Sequence, residues 1–496
     1  MKFLFHSIFL FLIAASVVTY LFLSDSKKDK PVVHWVASAT EVRKAQAETF
    51  YRWLEKNDYP DIEIQFDAQS KASDIVKTIV QGVSGVANDI LDCNGETLRL
   101  YQSIGLINDL TEVAKEMGFE GAMTYPGVQS DLYVDGRQFA FPRNVSTGFF
   151  WVNVDAFDRV GMAVPPDIWT IDEFERMGQE FVERSNQKGK HQTVFFRRHF
   201  TTQDRILMLR SGGVDFFNET LTKSNLEHFT YADTYETIYR WTHDLYIIPT
   251  LAQSKELVTG TGSGVSNIYI HLFANGSYGL MPGGRWGLMY FREIGFKNLS
   301  VSELPHNGFR NSDFGIGAPA VYEGADEKEA AYYFMKFLAS EEYNMDIVKN
   351  ADGLPPIPKY TRTEEFLRPP DHPSEWGLHD RIRQIAEEIA IVRSKSPFII
   401  SDTINRLEKN AFEKFEAGRV SAKEALRDCA GRIEKEIVRN AGKSAKLSLR
   451  YEKGLRDQEE IEGLRKEGKL VPLELITNPF YRRYYVEKGW ALPESS

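Results

Sequence analysis

The chain has 496 residues and a formal net charge of −10, with 42% hydrophobic and 26% charged residues. This composition is that of a globular protein with a sizeable core, which excludes disorder as its main state. The acidic balance argues against a nucleic-acid binder, which normally carries a basic face or domain. Two cysteines, Cys93 and Cys429, exclude a disulfide scaffold but leave one bridge between them open.

The N-terminal segment has the composition of an export signal. Residues 3–23 are almost wholly apolar, Lys2 precedes them, and a polar, charged stretch from Ser24 to Lys30 follows. An apolar run of about 20 residues is long enough to span a bilayer as a helix. No clear small-residue cleavage site ends it. Residues 1–30 are therefore predicted to be a signal peptide or an N-terminal membrane anchor of an exported protein.

Strands and helices alternate along the first part of the chain. Period-two and buried-strand patterns predict strands at residues 31–36, 62–66 and 89–91. Apolar positions at helical spacing predict helices over residues 73–83 and 98–104, the second ended by Gly105. This alternation predicts an α/β layered domain with a mostly parallel sheet.

A second set of elements begins near Phe139. We predict a strand at residues 149–152, a helix capped by Thr170, a helix that begins near Asp326, and an amphipathic helix over 401–416. Residues 421–424 form a capping box that opens one more helix. Residues 443–470 are dense in charges of both signs, which is typical of a solvated helix or a linker. A poorly ordered tail is the alternative for this charged part. The aromatic and basic end, residues 478–485, is expected to dock on a lobe or a membrane partner.

Motifs for catalysis and cofactor binding are absent from the sequence. It has no phosphate-binding loop with its lysine, no His-Glu-x-x-His zinc motif and no Gly-x-Ser-x-Gly nucleophile turn. We therefore predict no catalytic residue, no metal site and no cofactor. A long, exported chain without such motifs favours a binding protein over an enzyme.

Several short motifs occur in a fixed order along residues 32–440. They are DIL (89–91), YQSIGLINDLT (101–111), YVDGRQFAFP (133–142), WVNVDAF (151–157), FANG (273–276), GRW (284–286), EAA (329–331), KFLAS (336–340) and GLP (353–355). As an ordered set they resemble the extracellular solute-binding proteins of sugar-type ABC transporters, the family that includes maltose-binding protein.

The resemblance implies an α/β fold of the periplasmic binding protein type II class, with two α/β lobes, a hinge and a central ligand cleft. By analogy, lobe one comprises residues 31–141 plus 302–353, and lobe two comprises 142–301 plus 354–440. Residues 441–496 form a C-terminal extension of unknown role. The resemblance further implies a monomer that is not an enzyme and that closes on its solute by hinge motion.

The resemblance also points to ligand-binding residues. Trp286 matches the stacking tryptophan of the family, and core packing is its alternative role. Glu96 and Asn94 lie on a loop that faces the cleft in relatives, although Glu96 could instead be a solvated or helix-capping acid. The remaining candidates are Thr40, Glu41, Asn144, Ser146, Arg285, His199 and Gln203; Thr40 and Glu41 could merely cap a helix, and Arg285 could form a surface ion pair.

Three functions follow from this reading. The first is the extracytoplasmic substrate-binding component of an ABC importer, which binds a mono- or oligosaccharide and delivers it to membrane permease subunits. The second is a binder of another solute on the same fold: a polyol, a sugar acid, a glycerol-phosphate or a peptide. The third is an exported enzyme that acts on polysaccharide, which needs two carboxyl groups facing each other across a pocket.

Overall fold

The computed structural model describes residues 30–37, 41–67, 74–187, 192–259 and 268–492. The predicted signal or anchor at residues 1–30 (apart from Lys30) and the candidate Thr40 lie outside these ranges. Within them, no helix is both long enough and apolar enough to cross a membrane.

In the described part of the chain, two large sheets form the framework, and two small two-stranded sheets accompany them. The strands are β1 (Val32–Trp35), β2 (Glu63–Phe66), β3 (Ile90–Cys93), β4 (Tyr133–Val134), β5 (Arg137–Gln138), β6 (Asn144–Thr147), β7 (Phe149–Asn153), β8 (Val194–Phe196), β9 (Tyr278–Gly283), β10 (Leu299–Ser302), β11 (Ser312–Val321), β12 (Ala390–Val392), β13 (Val471–Pro472) and β14 (Ala491–Leu492).

Helices cover the faces of both sheets and make up most of the C-terminal part. They are α1 (Glu41–Lys56), α2 (Ile75–Val83), α3 (Gly95–Ser103), α4 (Thr111–Met117), α5 (Pro126–Gln129), α6 (Val154–Arg159), α7 (Ile171–Ser185), α8 (Thr202–Ser211), α9 (Phe229–His243), α10 (Leu251–Thr259), α11 (Ile268–Ala274), α12 (Gly287–Glu293), α13 (Lys328–Leu338), α14 (Glu341–Asn350), α15 (Glu364–Leu367), α16 (Leu378–Glu388), α17 (Ser401–Glu416), α18 (Ala422–Ala441), α19 (Ala445–Lys466) and α20 (Pro479–Glu487).

The first sheet has the strand order β12-β11-β3-β1-β2, and β6 pairs with β11 as well. β1 runs parallel to β2 and β3, as the strand–helix alternation predicts. The long strand β11 runs antiparallel to β3 and β6 and parallel to β12. The sheet is therefore mixed, because β11 returns to it from the second sheet.

The second sheet has the order β10-β7-β9-β8. Strand β7 lies in its middle, antiparallel to both β9 and β10, and every residue of β7 is buried. The predicted strand at 149–152 is confirmed, and so is the helix capped by Thr170, whose hydroxyl accepts a hydrogen bond from the backbone N–H of Glu173 in a capping box.

The chain crosses between the two sheets at three places. β6 of the first sheet passes through Gly148 into β7 of the second; β10 leads back into β11; and β12 leads into Phe398 and α17, which pack beside the second sheet. Short crossovers between two packed bodies are where hinge motions occur. This architecture confirms the predicted α/β fold of two lobes; the residue boundaries of the lobes stay a prediction.

The C-terminal segment forms a small core of its own. Ile461, Val471, Ile476 and Phe480 pack there together with Phe309, which precedes β11, and with Ile391 of β12. Helix α19 is largely solvated, and Ile461 is its only buried residue. The predicted solvated helix at 443–470 is therefore present, and the aromatic end docks on the crossovers.

Cys93 and Cys429 are both free thiols and both are buried, in different apolar cores. The bridge that the sequence left open does not form. Burial raises the pKa of the Cys429 thiol to about 12, so this thiol stays protonated and unreactive.

Candidate functional site: the cavity between the two sheets

A cavity of about 890 Å³ lies where the chain crosses between the two sheets. One wall is formed by residues that follow or end β1 and β3, namely Val36, Ala37 and Asp92. Ligands of open α/β sheets bind in a crevice outside the carboxyl ends of parallel strands, where neighbouring connections diverge. The position of the cavity is therefore that of a binding site, and its size suits a small molecule.

Trp286 forms the aromatic part of the cavity wall. It lies in the turn between β9 and α12 and is half-buried. The ring of Tyr290 holds it edge-on, with centroids 6.1 Å apart and planes at 82°. An indole held at this angle and open on one side offers a flat apolar surface for the C–H face of a sugar or for another ring.

Asn144 and Ser146 provide an amide and a hydroxyl group from the crossover strand β6. Both lie on β6 and both line the cavity. The amide of Asn144 donates to the backbone oxygen of Asp352 at 3.0 Å and to the Asp352 carboxylate at 3.3 Å. These bonds fix the orientation of the Asn144 side chain before any ligand arrives.

Three arginine–aspartate pairs complete the lining. Each arginine comes from a different segment: Arg43 pairs with Asp352 at 2.6 Å, Arg143 with Asp92 at 3.1 Å and Arg393 with Asp313 at 2.8 Å. The cavity thus carries strong hydrogen-bond donors and acceptors, and its positive and negative groups are matched. Such a lining suits a neutral ligand rich in hydroxyl groups.

These pairs keep their arginines charged. Burial opposes the charge of Arg143, but Asp92 and Asp352 outweigh burial and raise its pKa above the ordinary value. For Arg393 the carboxylate of Asp313 is the largest influence, and it likewise raises the pKa. Both guanidinium groups are therefore permanent donors at the pH of any natural habitat.

A second chamber of about 590 Å³ adjoins the first. The two chambers share Gly148, Gly283, Asp313 and Arg393 as lining residues. Its further walls come from the start of α8 and from one face of α17. The sequence-predicted residues His199 and Gln203 both line this chamber, and the Gln203 amide donates to Asp313 at 3.3 Å.

His199 lies deep in the second chamber, beside Phe412 and Glu416. Its Nε2 is 3.8 Å from a Glu416 carboxylate oxygen, which also approaches His243 at 3.2 Å. Burial lowers the pKa of His199, although Glu416 opposes that effect. At neutral pH the ring is therefore uncharged, so one nitrogen donates a hydrogen bond and the other accepts one.

The structure brings five of the predicted site residues to this pair of chambers. These are Trp286, Asn144, Ser146, His199 and Gln203. Whether they contact a ligand stays a prediction.

Four predicted residues do not line either chamber. Asn94 caps α3 by accepting from the backbone N–H groups of Glu96 and Thr97, and Glu41 is exposed beside Lys44 at 2.8 Å. Glu96 accepts the backbone N–H of Ser401 at 2.6 Å, at the start of α17. Glu96 therefore has the alternative role of a helix-capping acid, and its carboxylate lies near enough to the cavity residue Arg393 to raise the pKa of that guanidinium.

Arg285 is the fourth, and it lies behind the cavity wall. Its side chain is 1% exposed, and its donors are taken by backbone carbonyls of Ile347, Val348 and Gly353 and by His379. Neither a surface ion pair nor a contact with an acidic ligand fits this position.

The sequence reading missed most of the charged lining. Asp92 follows the family motif at 89–91 and could have been found as the last polar residue of a strand. Arg43, Asp313, Asp352 and Arg393 lie on four distant segments. No local sequence pattern predicts that these four residues line the same cavity.

The chain is similar to known proteins in sequence and in fold. A family model described as bacterial extracellular solute-binding protein matches residues 42–374. No curated protein sequence matches the chain.

Solved structures of low sequence identity share the fold. An ABC substrate-binding protein from Listeria monocytogenes in complex with cycloalternan is 21% identical, with a TM-score of 0.68 over 82% of this chain and 99% of that one. A solute-binding protein from Thermotoga lettingae bound with α-D-tagatose is 15% identical, with a TM-score of 0.67 over 82% and 100%. The GacH receptor of Streptomyces glaucescens, solved unliganded and with acarbose, is 17% identical, with a TM-score of 0.65 over 82% and 98%.

Proposed function

Because the chain belongs to the family of bacterial extracellular solute-binding proteins, we propose that it binds a carbohydrate outside the cytoplasm and delivers it to the permease of an ABC importer. In this proposal the two lobes close on a mono- or oligosaccharide by hinge motion, and the closed form is what the permease recognises. Residues 1–30 direct export and serve as a membrane anchor if they are not removed. The protein performs no chemistry on its ligand.

One observation carries the proposal: the half-buried ring of Trp286 faces a cavity whose charges are balanced. A saccharide needs a flat apolar surface for its C–H face and many hydrogen-bond partners for its hydroxyl groups. Trp286 supplies the first, and Asn144, Ser146 and the three arginine–aspartate pairs supply the second. The neighbours of known structure include proteins solved with maltotriose and with D-mannitol, which are ligands of this chemistry.

The same balance of charge argues against the second candidate function for anionic solutes, namely sugar acids and glycerol-phosphate. A phosphate or sugar acid is best bound by cations without acidic partners. Each of Arg43, Arg143 and Arg393 instead contacts an aspartate. A neutral polyol stays compatible with this lining, whereas glycerol-phosphate and sugar acids do not suit it.

A thermal-shift screen tests the proposal. The purified protein is heated with mono- and oligosaccharides, polyols, sugar acids and phosphates. A ligand at a hundred times its Kd adds about 2.7 kcal/mol of stability if it binds only the folded state. In a protein of this size that corresponds to a rise in Tm of about 2–4 °C. We expect such a rise with a neutral saccharide.

The variant Trp286→Ala shows where the ligand binds. We expect it to fold and to lose the saccharide-dependent shift. Trp376→Ala is the matched control, since Trp376 is 52% exposed and lies away from both chambers, and it should keep the shift. A shift with a phosphate or sugar acid instead of a saccharide, or one that survives in Trp286→Ala, would contradict the proposal.

A further inference from the structure

Arg285 is a fully buried arginine that touches no carboxylate of the described residues. Its Nη1 donates to the backbone oxygens of Ile347 at 3.0 Å and Gly353 at 2.7 Å, and its Nη2 donates to that of Val348 at 2.7 Å. Its Nε donates to Nδ1 of His379 at 3.1 Å. A buried charge is costly unless it is compensated, so an arginine in this place requires an explanation beyond filling space.

The compensation comes from a helix end and an aromatic ring. Ile347 and Val348 belong to the last turn of α14, where unpaired carbonyls concentrate negative partial charge. The guanidinium also lies over the ring of Phe366, 4.6 Å from its centroid. Arg285 therefore acts as the cap of α14, although it comes from a different part of the chain.

A relay behind Arg285 fixes its orientation. Nε2 of His379 donates to Glu375 at 2.9 Å, so Nδ1 is left to accept from Arg285. Glu375 in turn accepts two hydrogen bonds from Arg292, at 2.8 and 2.7 Å. Each member of the relay is held by the next, which leaves the guanidinium of Arg285 one orientation.

Two walls of the cavity meet at this arginine. On one side, Arg285 directly precedes Trp286 in the turn that carries the indole. On the other, it holds Gly353, whose neighbour Asp352 pairs with Arg43 and receives the Asn144 amide. Gly353 has φ of +85°, which few other residues adopt, so the loop is already confined to one path.

We propose that Arg285 is a positioning residue of the binding site, which fixes the turn of Trp286 against the loop of Asp352 and Gly353. The inference rests on the proposed function in that the cavity is taken as the site of binding. The position requires an arginine, because its planar guanidinium donates at once to two carbonyls of α14 and to that of Gly353 in the following loop. Lysine, with a single ammonium group, cannot hold both segments in the same way.

The test places a reporter on Trp286. The protein contains 8 tryptophans, and labelling with 5-fluorotryptophan gives each a ¹⁹F NMR signal. The signal of Trp286 is the one that disappears in Trp286→Phe. Spectra of the unliganded protein and of Arg285→Lys are then compared, and the affinity for maltotriose is measured by calorimetry.

We expect the Trp286 signal to move or broaden in Arg285→Lys without ligand, and the affinity for maltotriose to fall about tenfold. Arg210→Lys is the control, because Arg210 is as deeply buried but packs against Phe480 of the C-terminal segment, with its guanidinium 5.5 Å from the ring centroid. It should lower the Tm and leave the Trp286 signal in place. An Arg285→Lys variant that is folded, with an unchanged Trp286 signal and unchanged affinity, would overturn the proposal.

A second pair of variants serves if Arg285→Lys does not fold. His379→Leu removes the acceptor for Arg285, whereas His379→Gln supplies an amide oxygen. We expect the Trp286 signal to move in the first variant and to return towards its original position in the second. If both variants show the Trp286 signal at the position it has in the unmodified protein, the proposal is likewise overturned. If the Trp286 signal responds but the unmodified protein binds no saccharide, the positioning role stands and the proposed function fails.

Discussion

The arginine–carboxylate pairs of the cavity differ from those of the second lobe's core in how much water reaches them. In the cavity, the side chains of Arg43, Arg143 and Arg393 are 12%, 18% and 56% exposed. In the core, Arg205 and Glu408 are 3% and 0% exposed, and Arg210 and Asp215 are 1% and 0% exposed. The guanidinium and carboxylate groups therefore have different roles in the two regions.

The difference follows from desolvation. A buried pair contributes little net stability when intact, but the loss of one partner leaves an uncompensated charge in the core. An exposed pair is solvated whether or not its partner is present. The core pairs are therefore fixed structural contacts, whereas Arg393 and Asp313, 56% and 24% exposed, can exchange water for the hydroxyl groups of a ligand. The pairs of Arg43 and Arg143 lie between these two cases.

The largest effect is expected in the core. Asp215 pairs with Arg210 at 2.7 Å and accepts the Asn478 amide of the C-terminal segment at 2.8 Å. Asp215→Ala should destabilise the protein by about 3–5 kcal/mol, because the Arg210 charge stays buried without its partner. Chemical denaturation measures the loss. Asp428→Ala removes an exposed partner of Arg432 and should cost less than about 1 kcal/mol.

A pH titration tests the buried relay behind Trp286. Burial lowers the pKa of His379 to about 4, with Arg285 and Arg292 acting in the same direction and Glu375 opposing them. Between pH 6.5 and about 4 the unfolded chain therefore takes up a proton that the folded protein does not. The free energy of unfolding should therefore decrease as the pH is lowered through this window, by up to roughly 3 kcal/mol.

The comparison with His379→Leu separates the pH-dependent stability due to His379 from that due to other titratable groups. Denaturation curves are recorded at several pH values for both proteins. The variant should be less stable at neutral pH and should lose less on acidification. Parallel losses in both proteins would assign the pH dependence to other groups. Burial opposes the charge of Glu375, but hydrogen bonds from Arg292 and His379 lower its pKa to about 2. Glu375 should therefore add a further loss of stability only below pH 4.5, the ordinary pKa of a glutamate.

The smallest effect on stability is expected at the cavity rim. Arg393→Ala removes an exposed partner of Asp313 and should change the free energy of unfolding by less than about 1 kcal/mol. Affinity for a saccharide should nevertheless fall about fivefold, the value of one lost hydrogen bond. Calorimetry and denaturation on the same samples separate the two quantities. A large loss of stability with unchanged affinity would show that this pair resembles those of the core.

Local patterns predicted the elements well but not their partners. The helix over 401–416 and the capping box at Ser421 are present as predicted, because apolar spacing and end-capping are properties of neighbouring residues. The pair of Arg43 and Asp352 joins residues 309 positions apart, and no local rule reveals it. Trp286 was found only because the family resemblance supplied its place.

Glu96 and Arg285 do not line either chamber, and the two positions have a common cause. Both residues lie next to positions that suit a ligand site, and both cap a helix from a distant part of the chain, α17 for Glu96 and α14 for Arg285. Helix ends leave backbone groups without partners, and a nearby charged side chain satisfies them. The sequence shows that such a residue is charged, but only the packing of the lobes shows which partner it meets.

The central claim is that Trp286 receives a neutral saccharide in the cavity between the lobes. A ¹⁹F NMR titration of the 5-fluorotryptophan-labelled protein with maltotriose, or with the saccharide that gives the largest thermal shift, tests it directly. We predict that the Trp286 signal moves on binding, while the signals of the exposed Trp376 and Trp490 stay in place. Binding of a saccharide without any change at Trp286 would contradict the account.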